Sequence, residues 1–329
     1  MKTKPSKTPA KTRRPRATTT TPPAILKILA TTDFSDASRY GVRYAVSLAE
    51  KLGSAVALLH VVEPRTWLTE LGSLLPLRED SEVVAAASAQ LAALAKREAE
   101  GGVPVTCSVS VRTGNPFDAI TTAALECAAD LIVIATHGHT GAERFLLGST
   151  AERVVRHASC PVLTVPIRTK PRRIGKPSPF KLGKILVPVD FSKLSKGALP
   201  WAGLLAARLG AEIVLLHVVE QFPIDYVPAR ERKNDTFVPL TKKAGDDLEH
   251  IAGSLREAAG TNVSSIIDEG NLFEVICRTA ETLGADLIVQ TTHGHTGLKH
   301  VLLGSTAERV VRHAPCPVLT VRGLNRKKL

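Results

Sequence analysis

One stretch of this chain occurs twice. Residues 148–165 read GSTAERVVRHASCPVLTV and residues 304–321 read GSTAERVVRHAPCPVLTV, identical at 17 of 18 positions and 156 residues apart. Upstream, THGHTG occurs at 136–141 and again at 292–297 with the same spacing. Asp33-Phe34-Ser35 matches Asp190-Phe191-Ser192, and LLHVVE at 58–63 matches 215–220, both 157 residues apart. Self-similarity at this period means two copies of one folding unit. A length of 329 residues fits two domains of about 150 each.

Each copy alternates strand and helix patterns. Apolar runs at 25–31 and 184–189 lead into Asp-Phe-Ser and a helical pattern, with Ser35 as N-cap and Asp36 suited to the positive helix end. Gly53 and Gly210 are placed to stop those helices. Strands follow at 55–62 and 212–219, then long helices at about 80–100 and 240–259, then third strands at 103–111 and 262–267. Helices after Asn115 and Asn271 lead into fourth strands beginning Asp130-Leu and Asp286-Leu, and each copy ends in a short helix and the strand 161–165 or 317–321. Near-continuous apolar strands separated by helices predict an α/β fold: two tandem five-stranded parallel sheets with helices on both faces. Ligands of such sheets bind beyond the carboxyl ends of the strands, at the switch point. The final strands would be exposed apolar edges unless they pair with each other, which predicts pairing of the two units.

Charge narrows the function classes. The formal net charge is +12, but residues 1–24, 166–184 and 322–329 carry eighteen Lys and Arg and no acid. The remainder is net −6, so the basic character belongs to a tail, a linker and a second tail. No specific nucleic-acid binding is therefore expected, because such binders carry the patch on a folded face. Residues 1–24 read as a disordered basic tail. Residues 167–182 read as a basic, Pro-rich linker and 323–329 as a basic tail, leaving domains at 25–166 and 183–322. No run of about 18 uncharged apolar residues is present, so no membrane span is expected. Five cysteines without metal or Cys-x-x-Cys spacing read as small buried residues in a reducing, cytoplasmic setting. The loops at 63–78 and 220–240 are long for such units, and the second carries Tyr226, Arg230, Arg232 and Lys233, which read either as a cover over a bound phosphate ligand or as part of a mobile surface loop.

The loop after the fourth strand carries the candidate chemistry. In unit one it runs from His137-Gly138 to Gly148-Ser149-Thr150, and in unit two from His293-Gly294 to Gly304-Ser305-Thr306. Glycine lets backbone amides approach an anion, a helix start offers unpaired N–H groups, and the hydroxyls add donors. His137 and His293 stand where they can donate to a phosphate or hold the loop. This suits a polyphosphate held by main chain, through Gly138, Gly148, Ser149 and their counterparts, with no Walker lysine. The same residues also read as an S-x-x-E capping box, Ser149 with Glu152 and Ser305 with Glu308, needing no ligand. Both readings stand on the residues alone.

Together, Asp-Phe-Ser, LLHVV, THGHTG and the 18-residue block resemble the universal stress protein family over 25–166 and 183–322. The resemblance implies a sheet related to adenine-nucleotide α-hydrolases, and a tandem member whose units pair as the family's homodimers do. It further implies ATP, with magnesium, as cofactor, a homodimer as a further assembly, and a role as a stress-response regulatory switch. The family's ATP-binding branch carries G-x-x-G-x9-G-[S/T]. Carried over, its second and third glycines are Gly138 and Gly148, or Gly294 and Gly304, and its hydroxyl is Ser149 or Ser305. Its first glycine falls on Ala135 and Thr291, so both units depart from the pattern, unit two with the bulkier side chain. The adenine side would be Thr31, Thr32, Asp33 and Val61 in unit one, and Pro188, Val189, Asp190 and Val218 in unit two. A proline is usual where unit one has Thr31.

His60 and His217 lie in apolar strands and read as hydrogen-bonded strand-end residues rather than catalysts. Asp33 and Asp190 suit an adenine contact, a metal-linked carboxylate or helix N-terminal charge. No nucleophile, base and orienting group form a set, so ATP hydrolysis is expected to be weak at most. The alternative to a nucleotide-binding switch is an interaction module of the same fold whose loops hold no nucleotide.

Overall fold

The computed structural model describes residues 24–63, 80–99, 107–136, 147–166, 182–220, 237–292 and 303–322. The remainder of the tails, the linker, the long loops and the Tyr226–Lys233 cluster lie outside them. Unit one runs β1 (Lys27–Thr32), α1 (Asp36–Leu52), β2 (Ala55–Val62), α2 (Asp80–Ala99), β3 (Cys107–Thr113), α3 (Pro116–Glu126), β4 (Leu131–Ala135), α4 (Ser149–His157) and β5 (Val162–Val165). Unit two runs β6 (Lys184–Pro188), a 3-10 turn (Ser195–Ala198), α5 (Leu199–Leu209), β7 (Glu212–Val219), α6 (Phe237–Ala259), β8 (Val263–Glu269), α7 (Leu272–Leu283), β9 (Leu287–Thr291), α8 (Ser305–His313) and β10 (Val318–Val321).

The caps follow local chemistry. Ser35 accepts the Ser38 amide at 3.2 Å at the start of α1, and Asn115 accepts the Phe117 amide at 3.0 Å at the start of α3. Gly53 and Gly210 close α1 and α5 at φ 70°, the left-handed region that glycine tolerates. Three boundaries differ from the sequence reading. The third strand of unit two begins at Val263, one residue after the expected start, while residues 103–106 of the strand expected in unit one lie outside the described residues. Helix α6 begins at Phe237, inside the stretch read as loop, because Pro239 falls in its first turn where a missing N–H costs nothing. In unit two, Pro200 cannot enter an α-helix that already includes Lys196, so a 3-10 turn precedes α5.

Ten strands form one sheet, in the order β3-β2-β1-β4-β5-β10-β9-β6-β7-β8. All neighbours are parallel except β5 and β10, which pair antiparallel with Leu163 opposite Leu319. The final strands thus bury each other's edges. Two apolar layers run across both units. One holds Ile28, Val42, Ile185 and Leu205 on one face; the other holds Ile132, Val154, Ile288 and Val310 beneath α4 and α8. At the junction a small apolar cavity is lined by Tyr44, Leu48, Leu163, Leu205 and Leu319.

The fourth strand is fastened to the first by an aspartate in each unit. Asp130 Oδ2 accepts the amides of Leu26 and Lys27 at 2.8 and 2.9 Å, and Asp286 Oδ2 accepts those of Gly183 and Lys184 at 2.8 and 3.0 Å. Charged acceptors make these bonds stronger than neutral ones. They set β1 beside β4 and β6 beside β9, the switch points of the two units.

Candidate functional site

In unit one the carboxyl ends of β1, β2 and β4 and the start of α4 meet at one edge of the sheet. Thr31 and Thr32 end β1 and are buried, Val61 lies near the end of β2, and Ala135 ends β4. Gly148, Ser149 and Thr150 begin α4. In unit two Pro188, Val189 and Asp190, with Val218, Thr291, Gly304, Ser305 and Thr306, occupy the matching places. His137, Gly138, His293 and Gly294 lie outside the described residues.

The turn after β1 is held in an uncommon backbone state. Phe34 has φ 64° and Phe191 φ 61°, the left-handed region that a bulky residue enters only when its surroundings hold it there. In unit one the Phe34 amide donates to Thr32 Oγ1 at 3.0 Å and its ring lies 4.3 Å from that of His60. His60 donates from Nδ1 to the Thr32 carbonyl at 2.8 Å, and His217 does the same to Val189 at 2.8 Å. The strand-end reading of both histidines is what the geometry shows. Asp33 Oδ1 accepts the Ser35 amide at 3.0 Å and the Ser35 hydroxyl at 2.6 Å. In unit two Asp190 Oδ1 accepts the Ser192 amide at 3.0 Å. These aspartates brace the turn. Among the described residues no three His, Cys, Asp or Glu converge as metal ligands.

The start of α4 corrects two expectations. The N-cap is Gly148, not Ser149, and no side chain caps the helix; Gly304 does the same for α8. The Ser–Glu capping box therefore does not form, because each serine already lies inside the helix. The amide of Gly148 is also not left for a phosphate: it donates to the Thr136 carbonyl at 2.7 Å, and Gly304 donates to Thr292 at 2.7 Å. A Cβ on Gly148 would stand 3.2 Å from that carbonyl oxygen, so glycine serves a close backbone crossing at φ −58°. The first intrahelical bond runs from Glu152 to Gly148. That leaves the amides of Ser149, Thr150 and Ala151 without a partner inside the helix, as at any helix start.

Glu152 instead joins a four-charge cluster across the units. Arg156 contacts Glu152 at 2.9 Å and Glu308 at 3.3 Å, while Arg312 contacts Glu308 at 3.0 Å and Glu152 at 3.9 Å. Two carboxylates in the first turns of α4 and α8 are thus neutralised, which removes the repulsion they would exert on an anion there. Arg156 Nε and Arg312 Nε are buried with no hydrogen-bond partner among the described residues. No sequence signal points to this role of Arg156, since a partner 152 residues away leaves no local trace.

Other groups around the sites are structural. Burial pushes the Cys160 thiol up to about 12 and the Cys277 thiol up to about 11, so neither is a thiolate at neutral pH. Phe117 is packed by the Arg153 guanidinium at 4.2 Å and the His157 ring at 5.5 Å, and Phe273 by Arg309 at 3.5 Å and His313 at 5.8 Å.

The sequence profile of the Universal stress protein family matches residues 25–166 and again 181–322. The chain belongs to the universal stress protein family. Universal stress protein MJ0531 of Methanocaldococcus jannaschii is 37% identical over 139 residues, covering 42% of this chain and 81% of that one. Universal stress protein E of Escherichia coli is 26% identical over 298 residues, covering 85% of this chain and 89% of that one. In three dimensions this universal stress protein is similar to one from Archaeoglobus fulgidus, with a TM-score of 0.62 at 23% identity, covering 92% of this chain and 97% of that one. That likeness extends over both units and shows the fold.

Proposed function

We propose that this universal stress protein binds adenine nucleotide at the two switch points and acts as a stress-response module whose state follows occupancy. One observation carries the reading. The bond from Gly148 to Thr136, repeated from Gly304 to Thr292, sets the open amides of a nine-residue helix directly beyond the carboxyl end of the fourth strand, beside the first. The residues fit a polyphosphate: three amides per helix, a serine and a threonine, and a first-turn glutamate already neutralised. The adenine side falls to the buried ends of β1 and β2, Thr31 to Asp33 with Val61, and Pro188 to Asp190 with Val218. Magnesium would arrive with the phosphates, as no carboxylate cluster among the described residues offers it a seat.

ATP turnover is expected to be slow. Ground-state phosphate binding alone does not accelerate transfer. Phosphoryl transfer needs a positioned water and cations at the developing charge, and the described residues assemble no such set. The cytoplasm and a single-chain pairing of units complete the proposal. The test is mass analysis of small molecules released from the purified full chain, then calorimetry with ATP and a phosphate-release assay. Saturable ATP binding with turnover far below one per second supports the reading. Absence of ATP binding in both assays would favour the interaction module, and turnover of several per second would replace the switch by an ATPase.

A further inference from the structure

The two candidate sites share the same helix start but differ around their rims, and one of those differences is a charge. Where β5 of unit one runs out into Pro166, β10 of unit two runs out into Arg322. We propose that Arg322 is a phosphate-contacting residue of the unit-two site, a cation whose place in unit one is taken by Pro166. The inference rests on the reading of the helix starts as phosphate sites given above.

Three observations place Arg322. First, Thr292 donates its amide to the Val321 carbonyl at 3.0 Å, and Gly304 donates to the Thr292 carbonyl at 2.7 Å. Arg322 therefore leaves the sheet two hydrogen-bonded backbone steps from the N-cap of α8. At the usual strand spacing that is about 10 Å between backbones, within reach of an arginine side chain. Second, its side chain lies on the face of the sheet that α8 covers. Its Nη2 donates to the Arg156 carbonyl at 3.0 Å, at the end of α4, and α4 and α8 cover the same apolar layer. The pairing of Arg156 with Glu308 sets the carbonyl end of α4 level with the first turns of α8. Arg322 thus holds the carbonyl end of α4 on the face of the sheet from which α8 starts.

Third, its charge is not cancelled by a carboxylate. No carboxylate contacts it among the described residues, and the titratable groups beside it are the His157 imidazole and the Cys160 thiol, neither of which carries a negative charge at neutral pH. Arg156 and Arg312 are held by Glu152 and Glu308. Arg322 holds a single hydrogen bond to a helix-end carbonyl, so its remaining N–H groups can turn to an anion at Ser305 while keeping that anchor. A guanidinium suits this role because its five donors can serve a carbonyl and a phosphate at once. An anion at Ser149 of unit one would meet Pro166, which has no donor.

The experiment uses the full chain with unit one blocked by Gly148→Val. Affinities for ATP, adenosine and inorganic tripolyphosphate are measured with Arg322, with R322A and with R322K, alongside thermal midpoints. The expected result is a loss of roughly tenfold for ATP and tripolyphosphate in R322A, the size of one charge-assisted hydrogen bond, with adenosine unchanged and R322K recovering part of the loss. Unchanged ATP affinity in R322A overturns the proposal. Equal losses for ATP and adenosine that follow a lower thermal midpoint also overturn it, reducing Arg322 to a cap on α4. If the Arg322 protein binds neither ATP nor tripolyphosphate, the phosphate-site reading itself falls, and the inference with it.

Discussion

The two units agree where a phosphate would sit and disagree where a base and sugar would. From Gly148 to Arg156 and from Gly304 to Arg312 the residues are the same, the N-cap glycine makes the same 2.7 Å bond, and the carboxylates share one cluster. At the end of the first strand, unit one has Thr31-Thr32 and unit two has Pro188-Val189. Thr32 Oγ1 holds the Phe34 amide and lies 3.0 Å from Ser38 Oγ, whereas Val189 has no hydroxyl to offer Phe191. At the end of the fourth strand, Ala135 faces Gly41 of α1, where an added Cβ would stand 3.7 Å from its own. Thr291 faces a unit whose matching residue is Ala198, in the 3-10 turn. A duplicated chain can thus hold its anion-binding backbone fixed while the rims drift.

The strongest test of the shared half is Gly148→Val against Gly304→Val. A branched side chain at Gly148 meets the Thr136 carbonyl, and overpacking of this kind costs about 1–3 kcal/mol. Each variant should abolish ATP binding at its own unit, halving the stoichiometry seen by calorimetry, with nearly equal loss of stability in urea. Unequal losses would show that the two crossings are not equivalent.

Next comes an exchange of the first-strand residues. Thr32→Val strips an acceptor from the Phe34 amide in a half-buried turn, at a cost of about 1 kcal/mol. Val189→Thr should stabilise unit two by less than that, because Phe191 gains an acceptor. Urea midpoints measure both, and a neutral Thr32→Val would remove the hydroxyl from any account of the turn. A smaller, opposite pair is expected at the fourth strands. Ala135→Thr should weaken adenine-nucleotide binding in unit one a few-fold, and Thr291→Ala should strengthen it in unit two, each read in a background with the other unit blocked.

Much of this architecture was legible in the sequence because duplication gives every local signal twice. Strands at 55–62 and 212–219, and the glycine stops at 53 and 210, lie where periodicity and Cβ sterics set them. The ends of the candidate site were legible too, since the carboxyl ends of parallel strands and a glycine-started helix are local features. What failed was anything decided by a distant partner. Ser149-x-x-Glu152 has the spacing of a capping box, but the bond from Gly148 to Thr136 moves the helix start one residue back and Glu152 is claimed by arginines of both units. Asp130 and Asp286 looked like strand starts and prove to be staples between strands about 100 residues apart. Arg322 looked like part of a basic tail and lies over the other unit's last helix.

The smallest expected effect sharpens that last point. His157 and His313 are the same residue of the same repeated block, and both are held below the ordinary histidine range, first by desolvation and then by arginines. For His157 the arginines are Arg156, Arg322 and Arg153; for His313 they are Arg312 and Arg309. A histidine whose folded pKa lies below its unfolded value of about 6.5 favours the fold when neutral. The unfolded chain then binds more protons, so this stability is present above about pH 6.5 and is lost as pH falls through the folded value. Removing Arg322 deletes one of three cations around His157 and none around His313. The imidazole of His157 should therefore titrate at higher pH in R322A, toward its ordinary value, while that of His313 stays where it was. Proton NMR of the two rings across pH 4.5–8 reads this directly. An unmoved His157 would place the Arg322 guanidinium away from α4 in solution, and a moved His313 would mean that the variant disturbs the charge cluster joining the units rather than the rim of one.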